Sequence, residues 1–133
     1  MSNDSITEQS RSIVKTLYEA ALKDGDYARA FSVLDPDLVV NEPSYLPYGG
    51  VTRGIDAFAK LFAVISGYMD IPGIQVQSLL ADGNVVVAFL RGKTLDTGAE
   101  LLLCERSVVR NGKIVEMTIY YHEAASLLKA ARH

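Results

Sequence analysis

Tyr18 and Glu42 are the two residues whose types and setting first suggest chemistry in this chain. Tyr18 opens the run Tyr18-Glu19-Ala20-Ala21-Leu22-Lys23-Asp24-Gly25-Asp26, the end of an amphipathic helix closed by a Gly-Asp turn. Glu42 stands in Asn41-Glu42-Pro43, where the first predicted strand ends. A phenol facing a lone carboxylate across an apolar cavity is equipment for moving a proton next to a carbonyl group. The phenol holds the developing oxyanion while the carboxylate carries the proton.

A third group comes from the far half of the chain. Alternation over residues 99–110 puts Leu101, Leu103, Glu105, Ser107 and Val109 on one strand face, so Glu105 stands in an otherwise apolar row. A carboxyl there either pairs with a cation, for which Arg91 and Arg53 are the candidates, or is kept neutral by desolvation. A neutral carboxylic acid donates a hydrogen bond, which makes Glu105 a candidate second oxyanion donor.

The elements that must position these groups follow from caps and periodicity. Ser5-Ile6-Thr7-Glu8 reads as a capping box, followed by Ile13, Leu17, Ala20 and Ala21 at helical spacing as far as Asp24. Asp26 caps a second helix over residues 27–34, which the Asp35-Pro36-Asp37 turn ends. Residues 38–42 form a short strand, and residues 43–54 are irregular, with Pro47, Gly49 and Gly50. A third helix over residues 55–66 aligns Ile55, Phe58, Leu61, Phe62 and Ile65. Beyond Pro72 the chain reads as sheet: residues 74–81 and 84–92 flank Asp82-Gly83, and residues 99–110 and 113–121 flank Asn111-Gly112. Residues 124–131 read as a short closing helix. Helices first and an antiparallel meander after them predict one α+β domain across residues 1–133, its curved sheet wrapping the helices.

In the last strand Val115, Met117, Ile119 and Tyr121 share the face expected to meet the helices. With Phe58, Phe62, Phe89 and Leu103 they are expected to line the cavity, and Tyr45 and Tyr48 to narrow its mouth. Tyr120 and His122 fall on the outer face, where a polar, aromatic surface suits a homodimer contact. His122 is set aside as a base by that facing, and Cys104 reads as an inert structural thiol.

Bulk properties exclude several classes. A net charge of −3 over 133 residues argues against nucleic acid, which would ask for a basic face. No apolar run approaches the roughly 20 residues of a membrane span, and residues 1–10 lack a signal-peptide core. A single cysteine fits a reducing, cytoplasmic compartment. His122 and His133 are the only histidines and stand in no Cys/His spacing, so a structural or catalytic zinc site is not expected.

The motifs Tyr18-x-Ala20-Ala21-Leu22-x-x-Gly25-Asp26, Val39-Val40-Asn41-Glu42-Pro43 and Arg53-Gly54-Ile55-Asp56-Ala57-Phe58 resemble the ketosteroid isomerase branch of the nuclear-transport-factor-2-like superfamily. Leu46-Pro47-Tyr48-Gly49-Gly50 is similar to the related SnoaL-like proteins, and Gly112-Lys113-Ile114-Val115-Glu116-Met117 with Tyr120-Tyr121 to the superfamily's ending. The likeness runs from about residue 13 to residue 128 and implies a cone-shaped α+β fold. It also implies Tyr18 as the oxyanion tyrosine, Glu42 as the proton shuttle and Glu105 as the protonated acid of the oxyanion hole. Both carboxylates are Glu where those isomerases carry Asp, so each head group reaches one methylene further. The resemblance thus implies proton transfer on a small apolar carbonyl compound, without cofactor or metal. The same fold hosts cyclases, hydrolases and dehydratases, for which Glu105 or Glu123 would be the acid, and non-catalytic binding modules.

Overall fold

The computed structural model describes residues 2–131; Met1 and His133 lie outside them. The first helix, α1 (Asn3–Tyr18), starts earlier than the capping box predicts. Ser2 is the N-cap, its hydroxyl accepting from the Ser5 amide at 3.1 Å, and Glu8 pairs with Arg11 instead of reaching back. Directly after Tyr18 the backbone widens into a π-helical segment, Glu19–Asp24. Gly25, at φ 63°, turns the chain left-handed, and the Asp26 side chain caps α2 (Tyr27–Ser32) by accepting from the Arg29 amide at 3.1 Å.

The first strand, β1 (Leu34–Glu42), runs through Asp35-Pro36-Asp37 instead of starting after it. Its register on the neighbouring strand breaks between Leu34 and Val39, which is where a proline lacking an amide is tolerated, and Asp35 Oδ1 accepts from the Asp37 amide at 2.8 Å. The stretch expected to be irregular contains β2 (Gly50–Arg53), antiparallel to β1. Then come α3 (Ile55–Ile65), β3 (Gln75–Asp82), β4 (Val85–Lys93), β5 (Glu100–Arg110), β6 (Lys113–Tyr121) and α4 (Ala125–Ala131). Asn111 at φ 51° and Gly112 at φ 77° make the left-handed pair that a two-residue hairpin requires.

The six strands run in the order β2-β1-β6-β5-β4-β3, antiparallel throughout except for the parallel pair β1–β6. The helices α1 and α3 cover one face, α1 over β3 and β4, and α3 over β1 and β2. Leu17, Val40, Phe58, Leu90, Leu103, Met117 and Ile119 meet between the layers. Among the described residues no helix is long and apolar enough to cross a membrane.

One strand face differs from its sequence pattern. Val108 pairs with Glu116 but Val109 pairs with Ile114, which leaves Val115 as an extra residue in β6. The bulge reverses the alternation, so Ile114 is fully buried in the position expected for Val115.

Candidate active site

Sheet register brings the two carboxyl-bearing residues to one place. Val40 pairs with Met117 and Asn41 with Thr118, so Glu42 falls one step on, level with Ile119 of β6. Glu105 of β5 pairs with Ile119 from the other side. Glu42 and Glu105 therefore flank Ile119 with backbones about 10 Å apart, two strand spacings, and both line the same cavity beneath the helices. On the opposite face Asn41 Nδ2 donates to Thr118 Oγ1 at 3.1 Å, pinning the register that sets Glu42.

Tyr18 reaches down from the end of α1. Its hydroxyl donates to Glu105 Oε1 at 2.6 Å. Burial holds the phenol well above its ordinary pKa, and the Glu105 charge adds to this. Burial also raises Glu105, against the opposing hydrogen bond from Tyr18. Neither arginine weighed for Glu105 relieves it: Arg91 lies against Glu100 at 3.5 Å, and Arg53 is exposed at the end of β2.

Glu42 is 7% exposed, and its Oε1 has no hydrogen-bond partner among the described residues. Burial, and then the charge of Glu105, push its pKa up to about 8. Beside it the hydroxyls of Tyr48 and Tyr121 lie 2.8 Å apart, and burial raises both phenols.

The cavity wall is otherwise apolar. Leu17, Leu22, Phe31, Phe58, Phe62, Met69, Leu103, Met117 and Ile119 contribute to it, and among the described residues no Lys, Arg or His lines it. Its free volume is about 90 Å3, below the roughly 150 Å3 of an apolar cavity that takes benzene, so an occupant is no larger than one ring. Among the described residues no cluster of His, Cys, Asp and Glu is arranged to hold a metal.

Three expected wall residues stand elsewhere. Phe89 is 41% exposed, because Val86, Ala88 and Leu90 take the inner positions of β4; it pairs with Cys104 and shares a shallow outer hollow with Tyr120 and His122. Tyr45 is 58% exposed at the tip of the loop after β1. Tyr48 is buried against Tyr68, with ring centroids 5.5 Å apart, and meets the cavity only through its bond to Tyr121. Glu123, weighed as an inward acid, is exposed and accepts from the Ala125 amide at 2.8 Å at the start of α4. Sequence reasoning gave Tyr121 only a wall position and missed its hydroxyl's partner, since Tyr48 is 73 residues away.

Helices laid on an open, mostly antiparallel sheet around one enclosed cavity define the nuclear-transport-factor-2-like superfamily, and solved structures agree. An NTF2-like protein from Burkholderia xenovorans LB400 is 24% identical with a TM-score of 0.75, over 94% of this chain and 97% of that one. Bal32a from a soil-derived mobile gene cassette is 17% identical with a TM-score of 0.78, over 91% and 95%. TerC, co-crystallised with polyporic acid, is 18% identical with a TM-score of 0.77, over 94% and 99%. Residues 14–117 match the family model described as a SnoaL-like domain, and the chain belongs to that family. No curated protein matches the chain.

Proposed function

We propose that this protein is a cofactor-independent proton-transfer enzyme acting on a small, largely apolar, enolisable ketone held over Ile119. The observation that carries this reading is the buried Glu42 Oε1, unpartnered among the described residues, in the same cavity as the Tyr18–Glu105 pair. An unsolvated carboxylate oxygen is a strong base, and no described residue engages it.

Ionised Glu42 takes the proton from the carbon beside the carbonyl. The electrons of that C–H bond form the carbon–carbon double bond, and the carbonyl oxygen becomes the enolate. Tyr18 turns its hydroxyl from Glu105 to this oxygen, and neutral Glu105 donates its own proton as a second hydrogen bond. Each donor is worth about 3–4 kcal/mol in the transition state. Glu42 then returns the proton to the same carbon or to one conjugated with it, giving exchange or isomerisation.

A purely ligand-holding module would leave Glu42 solvated with an ordinary titration, and its burial argues against that. TerC's crystallisation with polyporic acid supports a small-molecule occupant for this fold. The outer hollow with Phe89 and Tyr120 supports pairing of two copies through the sheet.

The test is deuterium exchange of simple cyclic enones in D2O, followed by NMR. Wild type is expected to exchange the carbons conjugated with the carbonyl, and Glu42→Gln to abolish that exchange. Wild-type exchange rates in Glu42→Gln would overturn the reading.

A further inference from the structure

The Tyr48–Tyr121 pair has no part in the chemistry above, yet Tyr121 lines the cavity. We propose that Tyr121 binds a second substrate oxygen, carried across the ring from the carbonyl, so that the substrate is an uncharged, monocyclic, dioxygenated compound such as a hydroxycyclohexenone or a quinol. This rests on the proton-transfer reading for the role of the first oxygen.

The argument starts from a proton count. Two phenols raised by burial keep both their protons, and the 2.8 Å bond between them uses one. It is the only hydrogen bond either hydroxyl makes among the described side chains, so one O–H remains unspent. Either hydroxyl can donate that bond, and when Tyr48 donates it the free O–H is that of Tyr121, the member of the pair that lines the cavity. The nearby Glu42 Oε1 has not taken that proton, being itself without a partner. A buried donor left unused carries a desolvation cost that a ligand acceptor would remove.

Position then sets the spacing. Tyr121 pairs with Leu103 and Ile119 with Glu105, so the Tyr121 pole lies two residues along β6 from the level of the Tyr18–Glu105 pole. Two residues of strand span about 7 Å, too far for oxygens on adjacent ring carbons and suited to oxygens on opposite sides of one ring. The free space admits no more than one ring. Since among the described residues two carboxyl groups line the cavity and no Lys, Arg or His does, a carboxylate or phosphate in place of the second oxygen would be repelled.

Calorimetric binding of phenol, catechol and hydroquinone under argon tests this, with melting curves to verify that each variant is folded. Wild type is expected to bind hydroquinone about tenfold tighter than phenol, the worth of one good hydrogen bond, and catechol no tighter than phenol. Tyr121→Phe should erase the hydroquinone preference while leaving phenol binding unchanged. Tyr48→Phe, which keeps the Tyr121 hydroxyl but removes what orients it, should shrink the preference. No hydroquinone preference in wild type, or equal weakening of phenol and hydroquinone by Tyr121→Phe, overturns the proposal. Tyr18→Phe separates the two readings. If the enone exchange rate of Tyr18→Phe equals that of wild type while Tyr121→Phe still erases the hydroquinone preference, the oxyanion role fails and the second-oxygen site stands.

Discussion

At the scale of single residues, Glu42 governs how the reaction should respond to pH. Its carboxyl is pushed up to about 8, so the basic form is a minority at neutral pH and grows as pH rises through that value. The kcat/KM for exchange should therefore climb along a limb centred near pH 8, and a flat profile between pH 6 and 9 would contradict Glu42 as the base. Tyr18 makes a different prediction. Tyr18→Phe removes a donor needed most when the oxygen is charged, so kcat should fall about 10²–10³-fold while affinity for the neutral ketone falls far less. Steady-state kinetics separate the two effects; equal losses in both would reduce Tyr18 to a wall residue. These three residues were legible because each breaks a local pattern. A phenol precedes a Gly-Asp turn, a carboxylate precedes a proline, and Glu105 interrupts an apolar row. Tyr121 breaks no pattern among Met117 and Ile119, so its polar role stayed hidden.

Among the elements, the loop between β1 and β2 holds Tyr48 through two turns, Leu46 N–H to Pro43 C=O at 3.1 Å and Gly49 N–H to Leu46 C=O at 3.0 Å. A Cβ on Gly49 would lie 2.0 Å from the Pro43 carbonyl oxygen, and backbone on that side cannot yield as a side chain would. Gly49→Ala should cost about 1–3 kcal/mol in urea unfolding and displace Tyr48 from Tyr121; unchanged stability would show that the loop opens freely. This is the region the sequence described least well. A four-residue β2 is too short for its alternation to register. The π-helical turn was equally hidden, because its apolar residues keep the spacing of an ordinary helix. The hairpin at Asn111-Gly112 and α3 were legible, since turn chemistry and an apolar stripe are local signals. Phe89 and Val115 were misread for a shared reason: facing depends on register and bulges that belong to the neighbouring strand.

The molecule as a whole should lose stability as pH rises. Both cavity carboxyls have folded pKa values above the ordinary carboxylate range, so folding favours their protonated forms. That contribution is complete below about pH 4.3 and is lost as pH rises through the folded value, which for Glu42 is about 8. Melting temperature should therefore be higher near pH 5.5 than near pH 8.5, and Glu42→Gln should reduce the difference; an unchanged slope would mean that Glu42 is solvated. On the outer surface Phe89 and Tyr120, 41% and 52% exposed, support a contact between copies. Phe89→Asp should convert a dimer to a monomer in sedimentation experiments, and a wild-type monomer would rule that contact out. The parallel pairing of β1 with β6 bears on how the chain is made. A ribosome releases β1 long before β6, and β1 holds the middle of its half of the sheet only when the last strand arrives. Glu42 and Glu105 cannot face one another across Ile119 until then. During translation the emerged helices have no finished sheet to cover, and the long-range pairing that closes the cavity comes last and slowly. The nascent protein is thus without its cavity, and most exposed to chaperones, until β6 is free of the ribosome.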